Sequence, residues 1–129
     1  MTLDECKKIH KDMWQYIVDN ESKYLKDLPG HIQDARKGRI RHMLKQSYCA
    51  IHNLDLRYDC AICQYAHEQY LKTGNGTCCI CKFCPIKWNN KSKYYDAAFD
   101  LFYCEYEGQS WMTEPAELIR DLLFKEDNK

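Results

Sequence analysis

Six of the nine cysteines in this chain fall between positions 60 and 84. The count is odd, the clustering is tight, and the start, Met1-Thr2-Leu3-Asp4-Glu5, is acidic and helical in pattern with no signal-peptide core. Those features argue against a disulfide framework, and the expected setting is a reducing cytoplasm. There, clustered thiols are best used as thiolate ligands of a metal. Cys60-Ala61-Ile62-Cys63 and Cys81-Lys82-Phe83-Cys84 form C-x2-C…C-x2-C with 17 residues between the pairs, inside the interval of a four-cysteine zinc site. The two-residue gap lets both sulfurs of a tight turn approach one ion at ~2.3 Å while backbone amides point at the thiolates. Pro85 stiffens the exit. The expectation is a structural Zn2+ held by Cys60, Cys63, Cys81 and Cys84. Cys78 offers a second C-x2-C register with Cys81, Cys79 lies beside it, and Cys104 could enter from a distant segment, so Cys78 and Cys104 stand as alternates.

The competing readings are weaker. A redox dithiol at Cys60-x2-Cys63 would belong in a βαβ setting, which this pattern lacks. Cys6 lies on the apolar stripe of a helix and reads as a small core residue; Cys49 reads as core or incidental. His67 follows Cys63 by four residues and could ligate, but a helix-face role fits it better. His10, His31, His42 and His52 have no metal-binding spacing.

The pattern predicts a mainly α fold: a small helical domain organised around the zinc knuckle, with little or no β-ribbon. One domain spans 1–129, made of an N-terminal helix (1–30), a basic helix (31–48), the knuckle region (49–93) and C-terminal helices (94–129). The first helix is read over 3–28, opened by the capping box Thr2…Glu5 and carrying Cys6, Ile9, Met13, Tyr16, Ile17 and Tyr24 at helical spacing. Pro29-Gly30 stops it. A second helix is read from Ile32 to about Tyr48, with Ile32, Ala35, Ile40, Met43 and Leu44 inward, although Gly38 costs its interior ~1 kcal/mol against alanine. A short third helix follows Cys63, and Thr73 to Thr77 is a turn. Residues 94–103 look helical, with Tyr95, Ala98, Phe99 and Phe102 at the right spacing. A last helix starts at Thr113-Glu114-Pro115 and buries Leu118, Ile119, Leu122 and Leu123.

Structural zinc also answers a stability problem. Its binding is worth about 10–16 kcal/mol in small zinc peptides, comparable with the whole stability of a domain. Here it would pin a loop-rich middle between flanking helices.

With 45% hydrophobic residues and zero net charge, the chain is composed as a folded protein, without a globally basic coat or a membrane-length apolar run. Neutrality conceals a gradient. Residues 29–93 hold 11 Lys and Arg against 4 Asp and Glu, whereas residues 94–129 hold 3 against 9. The basic concentrations are Arg36, Lys37, Arg39, Arg41 and Lys45, then Lys72, Lys82, Lys87, Lys91 and Lys93 with Phe83, Trp88, Tyr94 and Tyr95 interleaved. Lysines beside stacking rings suit a nucleic acid or signalling nucleotide, so Arg36, Lys37, Arg39, Arg41, Lys82, Lys87 and Trp88 are the candidate contacts of that reading. Plain solvation of helix faces is the simpler one.

Catalytic signatures are missing. There is no Gly-rich phosphate loop, zinc-protease helix or nucleophile elbow. A zinc deaminase needs His-x-Glu and Pro-Cys-x2-Cys; here the proline follows the second pair, and the nearest approach to the former is His67-Glu68. Four thiolates would close the zinc shell and leave no position for an activated water. The expectation is a protein that is not an enzyme.

Taken in order, Glu5-Cys6-x3-His10-x2-Met13-Trp14, Cys60-x2-Cys63-x-Tyr65-Ala66, Cys81-x2-Cys84-Pro85-Ile86-x-Trp88, the late Cys104 and Trp111 resemble a group of small cysteine-rich proteins encoded by bacteriophages and prophages. The resemblance covers most of the chain. It implies a zinc-stabilised α-rich domain acting in the cytoplasm of the infected bacterium, and it raises Cys104 as a ligand, because a late cysteine recurs in that group. The additional Cys78-Cys79 and the basic stretch 31–45 depart from the pattern. Small size, phage-like motifs and missing catalytic groups together suggest an accessory factor that binds a host protein, with inhibition of an antiviral defence as one form. Binding of a nucleic acid or signalling nucleotide is the alternative.

Overall fold

The computed structural model describes residues 1–56, 60–73, 83–86, 95–96, 101–102 and 115–124. Among them are four α-helices: α1 (Leu3–Leu25), α2 (Gly30–Ile51), α3 (Ala61–Thr73) and α4 (Ala116–Arg120). The chain is thus mainly helical, and α1 is its axis, packing against each of the other three. No helix among the described residues is long and apolar enough to cross a membrane.

The start of α1 follows from its capping box. Glu5 N–H donates to Thr2 Oγ1 at 3.1 Å and Thr2 N–H donates to Glu5 Oε1 at 3.3 Å, which satisfies two donors that a helix start leaves open. The apolar stripe then buries Cys6, His10, Met13, Trp14, Ile17 and Leu25. Tyr24, expected inward, is 45% exposed, and Leu25 takes the buried place in the last turn. The helix ends three residues before Leu28, in a turn closed by Leu28 N–H on the Leu25 carbonyl.

α2 is longer at both ends than its periodicity suggested. The Pro29 carbonyl accepts from Ile32 and Gln33 N–H, both at 2.9 Å, so the helix opens at Gly30. It closes through a Schellman motif: Asn53 adopts φ 53°, Leu54 N–H reaches the Cys49 carbonyl at 2.8 Å and Asn53 N–H the Ala50 carbonyl at 3.3 Å. Asn tolerates this left-handed backbone better than most residues. Gly38 lies within α2 at a buried position.

The inward face of α2 departs from expectation. Leu44 is buried, but Ala35 and Met43 are exposed. Their places in the core are taken by two cations, Arg41 at 0% and Lys45 at 2% exposed. Trp14 explains how: Arg41 lies over its ring at 5.6 Å and Lys45 at 5.9 Å, so the long stems pack as apolar matter while the charges sit against the π face. Arg41 also forks onto Glu21, Nε to Oε2 at 2.5 Å and Nη2 to Oε1 at 3.3 Å.

Two expectations for the C-terminal third are corrected. The described part of 94–103 is no helix but an antiparallel pairing of β1 (Tyr95–Asp96) with β2 (Leu101–Phe102), in which Tyr95 stands opposite Phe102. Aromatic residues favour extended backbone and cross-strand pairing, which outweighs a weak 3.6-residue spacing. The final helix is short, begins after Pro115 without a side-chain cap, and ends at Arg120; Thr113 and Glu114 lie outside the described residues. With the helix stopping there, Ile119 is buried and Leu122 packs at the core edge, but Leu118 and Leu123 are 59% and 56% exposed. Phe124 supplies the missing apolar bulk, 1% exposed and bridged antiparallel to Ile86.

Candidate metal centre

The first cysteine pair is built on a helix start. α3 begins at Ala61, directly after Cys60, so Cys63 lies in its first turn rather than before the helix. Ala61 and Ile62 are 3% and 1% exposed; burying them draws the first turn inward and carries both cysteines with it. Cys60 is buried and Cys63 partly buried. Cys63 N–H donates to Cys60 Sγ at 3.4 Å, the amide-to-sulfur contact that a C-x2-C knuckle supplies to a thiolate. Gln64 N–H closes the turn on the Cys60 carbonyl at 3.0 Å.

Cys84 arrives from the second cysteine segment. It is 5% exposed and is followed by buried Pro85 and by Ile86, which is fully buried. The segment is held on both sides: Phe83 meets Tyr70 of α3 edge-on, with ring centroids 6.1 Å apart, and Ile86 bridges to Phe124. Cys81, the other member of this pair, lies outside the described residues, as do Cys78, Cys79, Cys104, Lys82, Lys87 and Trp88.

Cys6 joins the group from α1. It is wholly buried and its thiol donates to the Ala61 carbonyl at 3.5 Å. Burial first, then the charges of Cys60 and Cys84, push that thiol up to about 12. The core role expected of Cys6 therefore holds, and its neutral thiol fastens α1 to the first residue of α3. Reading helix periodicity alone misses that Cys6 lies within electrostatic reach of both cysteine segments; no spacing in the sequence encodes it. The Cys63 thiol is likewise pushed up, by its hydrogen bond with Cys60, then by burial and by the charges of Cys60 and Cys84, with Lys45 opposing. Cys49 is a core residue, 6% exposed.

What this arrangement can do follows from the cost of charge. Thiolates buried this deeply are unfavourable unless a cation accompanies them. A cation at the Cys60–Cys63 turn would remove that penalty, and none of the five described cysteines forms a disulfide. Cys60 and Cys63, at C-x2-C spacing on the first turn of α3, carry the thiol chemistry that zinc takes. Among the described residues, no group of three or more His, Cys, Asp or Glu side chains is arranged to hold an ion. One turn beyond Cys63, the buried His67 Nδ1 has no hydrogen-bond partner among the described residues, an unmet demand of about 1–3 kcal/mol.

The basic candidates divide. Arg36 and Arg39 are exposed and Lys37 is half-buried. Arg41 is withdrawn from any nucleic-acid surface: fully buried, it is committed to Glu21 and Trp14. Lys45, of the same basic stretch, is buried too. Amphipathic stems account for this, because a charge count cannot tell a solvated cation from one stacked in a core.

No protein-family model, no curated protein and no solved structure matches this chain.

Proposed function

We propose that this chain is a non-catalytic, zinc-scaffolded accessory protein of phage origin that binds a host bacterial protein in the host cytoplasm, with inhibition of an antiviral defence as one outcome. The observation that carries the scaffold is the buried Cys60–Cys63 turn, its amide donating to sulfur, with Cys84 packed beside α3. Zinc there is held by Cys60, Cys63 and Cys84 with a fourth sulfur, Cys81 by spacing and Cys104 or Cys78 as alternates. A shell closed by four thiolates does no chemistry of its own. Its product is a rigid surface, and the function lies in what that surface engages. The nucleic-acid reading is weakened by the burial of Arg41 and Lys45.

Elemental analysis of the purified chain tests the scaffold: one zinc per chain is expected, lost in Cys60→Ser, Cys63→Ser and Cys84→Ser and kept in Cys49→Ser. A metal-free preparation that is fully folded overturns it. Capture from bacterial lysate followed by mass spectrometry tests the binding role, and recovery of nucleic acid in place of any protein refutes it.

A further inference from the structure

The first turn of α3 holds two thiols in contact. Cys63 N–H donates to Cys60 Sγ at 3.4 Å, and the Cys63 thiol shares a further hydrogen bond with the Cys60 side chain. Gln64 N–H on the Cys60 carbonyl at 3.0 Å sets both residues in α-helical register. Residues three apart in that register have Cα atoms about 5 Å apart, inside the roughly 4.4–6.8 Å that a disulfide spans. Neither cysteine is bridged.

The surroundings single out this pair. Among the five described cysteines Cys63 alone is not buried, so the pair meets solvent on its side. Cys6, Cys49 and Cys84 are buried, and the Cys6 thiol is already engaged by the Ala61 carbonyl. Cys60 Sγ takes the place of a capping oxygen at the head of a helix of 13 residues. There the amide and the helix dipole favour the thiolate, which is the reactive form of the group.

We propose that Cys60 and Cys63 are a redox-sensitive pair that hydrogen peroxide closes into a disulfide, and that closure discharges the zinc. The Cys60 sulfur attacks one peroxide oxygen, the O–O bond breaks, and Cys60 sulfenic acid and water result. The Cys63 sulfur then attacks the Cys60 sulfur. An S–S bond forms, and hydroxide departs with the Cys63 proton as a second water. The two sulfurs lose two electrons in all, and the peroxide gains them. With an ion bound, the sulfurs start as thiolates and solvent supplies the two protons. A thiol reductant reopens the pair by exchange. Closure stands on the two thiols alone; discharge rests on the zinc-scaffold reading, because a disulfide here removes two of the four sulfurs.

Trypsin makes the test specific, because its peptide 58–72 carries Cys60 and Cys63 and no other cysteine. The folded full chain is treated with hydrogen peroxide, alkylated, digested and analysed by mass spectrometry, while a chromogenic chelator follows zinc. The peptide is expected to lose both alkylation sites together and to be lighter than the dithiol by two hydrogens. One zinc should be released per closed pair, and dithiothreitol should restore both alkylation sites. Cys49→Ser should close as the wild type does, and Cys63→Ser should give no closed peptide. A wild-type peptide that stays doubly alkylated after peroxide, or a Cys60 bridged to a cysteine outside it, overturns the proposal. The two readings fail separately. A zinc-free folded chain whose peptide still closes refutes the scaffold and leaves closure standing. Zinc released while the peptide stays doubly alkylated refutes closure and leaves the scaffold standing.

Discussion

His10 is expected to make the fold acid-sensitive well above the titration of ordinary carboxylates. The ring is 2% exposed, its Nε2–H donates to the Ile119 carbonyl at 2.7 Å, and it meets Phe124 edge-on with centroids 5.9 Å apart. Burial holds it neutral, lowering its pKa to about 4 against an ordinary 6.5; the Ile119 bond opposes this, while Lys45 and Lys11 add to it and Asp121 opposes. Because the unfolded chain takes up the proton first, the contribution of neutral His10 is intact above about pH 6.5 and is lost as pH falls toward 4. A difference of roughly 2.5 pKa units corresponds to about 3 kcal/mol in full, of which about 2 kcal/mol is lost between pH 7 and pH 5. The assay is urea unfolding followed by circular dichroism at both pH values, for wild type and His10→Gln. Glutamine keeps an N–H for the Ile119 carbonyl but does not titrate, and acid release of the proposed metal would affect both proteins alike. The wild type should lose about 2 kcal/mol more than the variant. Identical losses would show that His10 titrates normally and that the α1–α4 contact does not exclude water.

Three further outcomes are expected. Cys60→Ser should lower the unfolding midpoint and abolish zinc uptake together, whereas Cys6→Ser, removing a thiol bonded to the Ala61 carbonyl, should keep the metal at a modest cost in stability; zinc loss in Cys6→Ser would refute its core role. Arg41→Ala should cost about 3 kcal/mol by urea unfolding, because it strands the Glu21 carboxylate and removes the side chain packed over the Trp14 ring. The paired Arg41→Met, Glu21→Leu change should recover most of that, and failure to do so would mean that the ion pair is not what the site requires. Asn53→Gly should be neutral within a few tenths of a kcal/mol, whereas Asn53→Val should cost about 1–2 kcal/mol at φ 53°; equal stabilities would remove the Schellman motif as the stop of α2.

Much of the local structure was legible in the residues themselves. Thr2…Glu5 is a capping box in the sequence and in the fold, since its partners lie three residues apart and need nothing beyond the helix they begin. The α1 stripe, the mainly helical class and the core role of Cys6 follow from the same short-range periodicity. The apolar pattern of α2 fades near Tyr48, whereas the helix runs on to Ile51 and stops at the left-handed Asn53. The end of α2 is set by backbone carbonyls, which carry no hydrophobic signature.

What the sequence determined by itself was the inventory: thiols at C-x2-C spacing, a capped first helix and a cation-rich second one. The tertiary structure decided the environment of each. It placed Cys6 within electrostatic reach of Cys60 and Cys84, stacked Arg41 and Lys45 on Trp14, and stopped α4 early so that Phe124 fills the core in place of Leu118 and Leu123. The physical reason is that burial depends on partners distant in the chain. A guanidinium is surface or core according to whether an aromatic face and a carboxylate are waiting, and residues 14 and 21 lie on another helix.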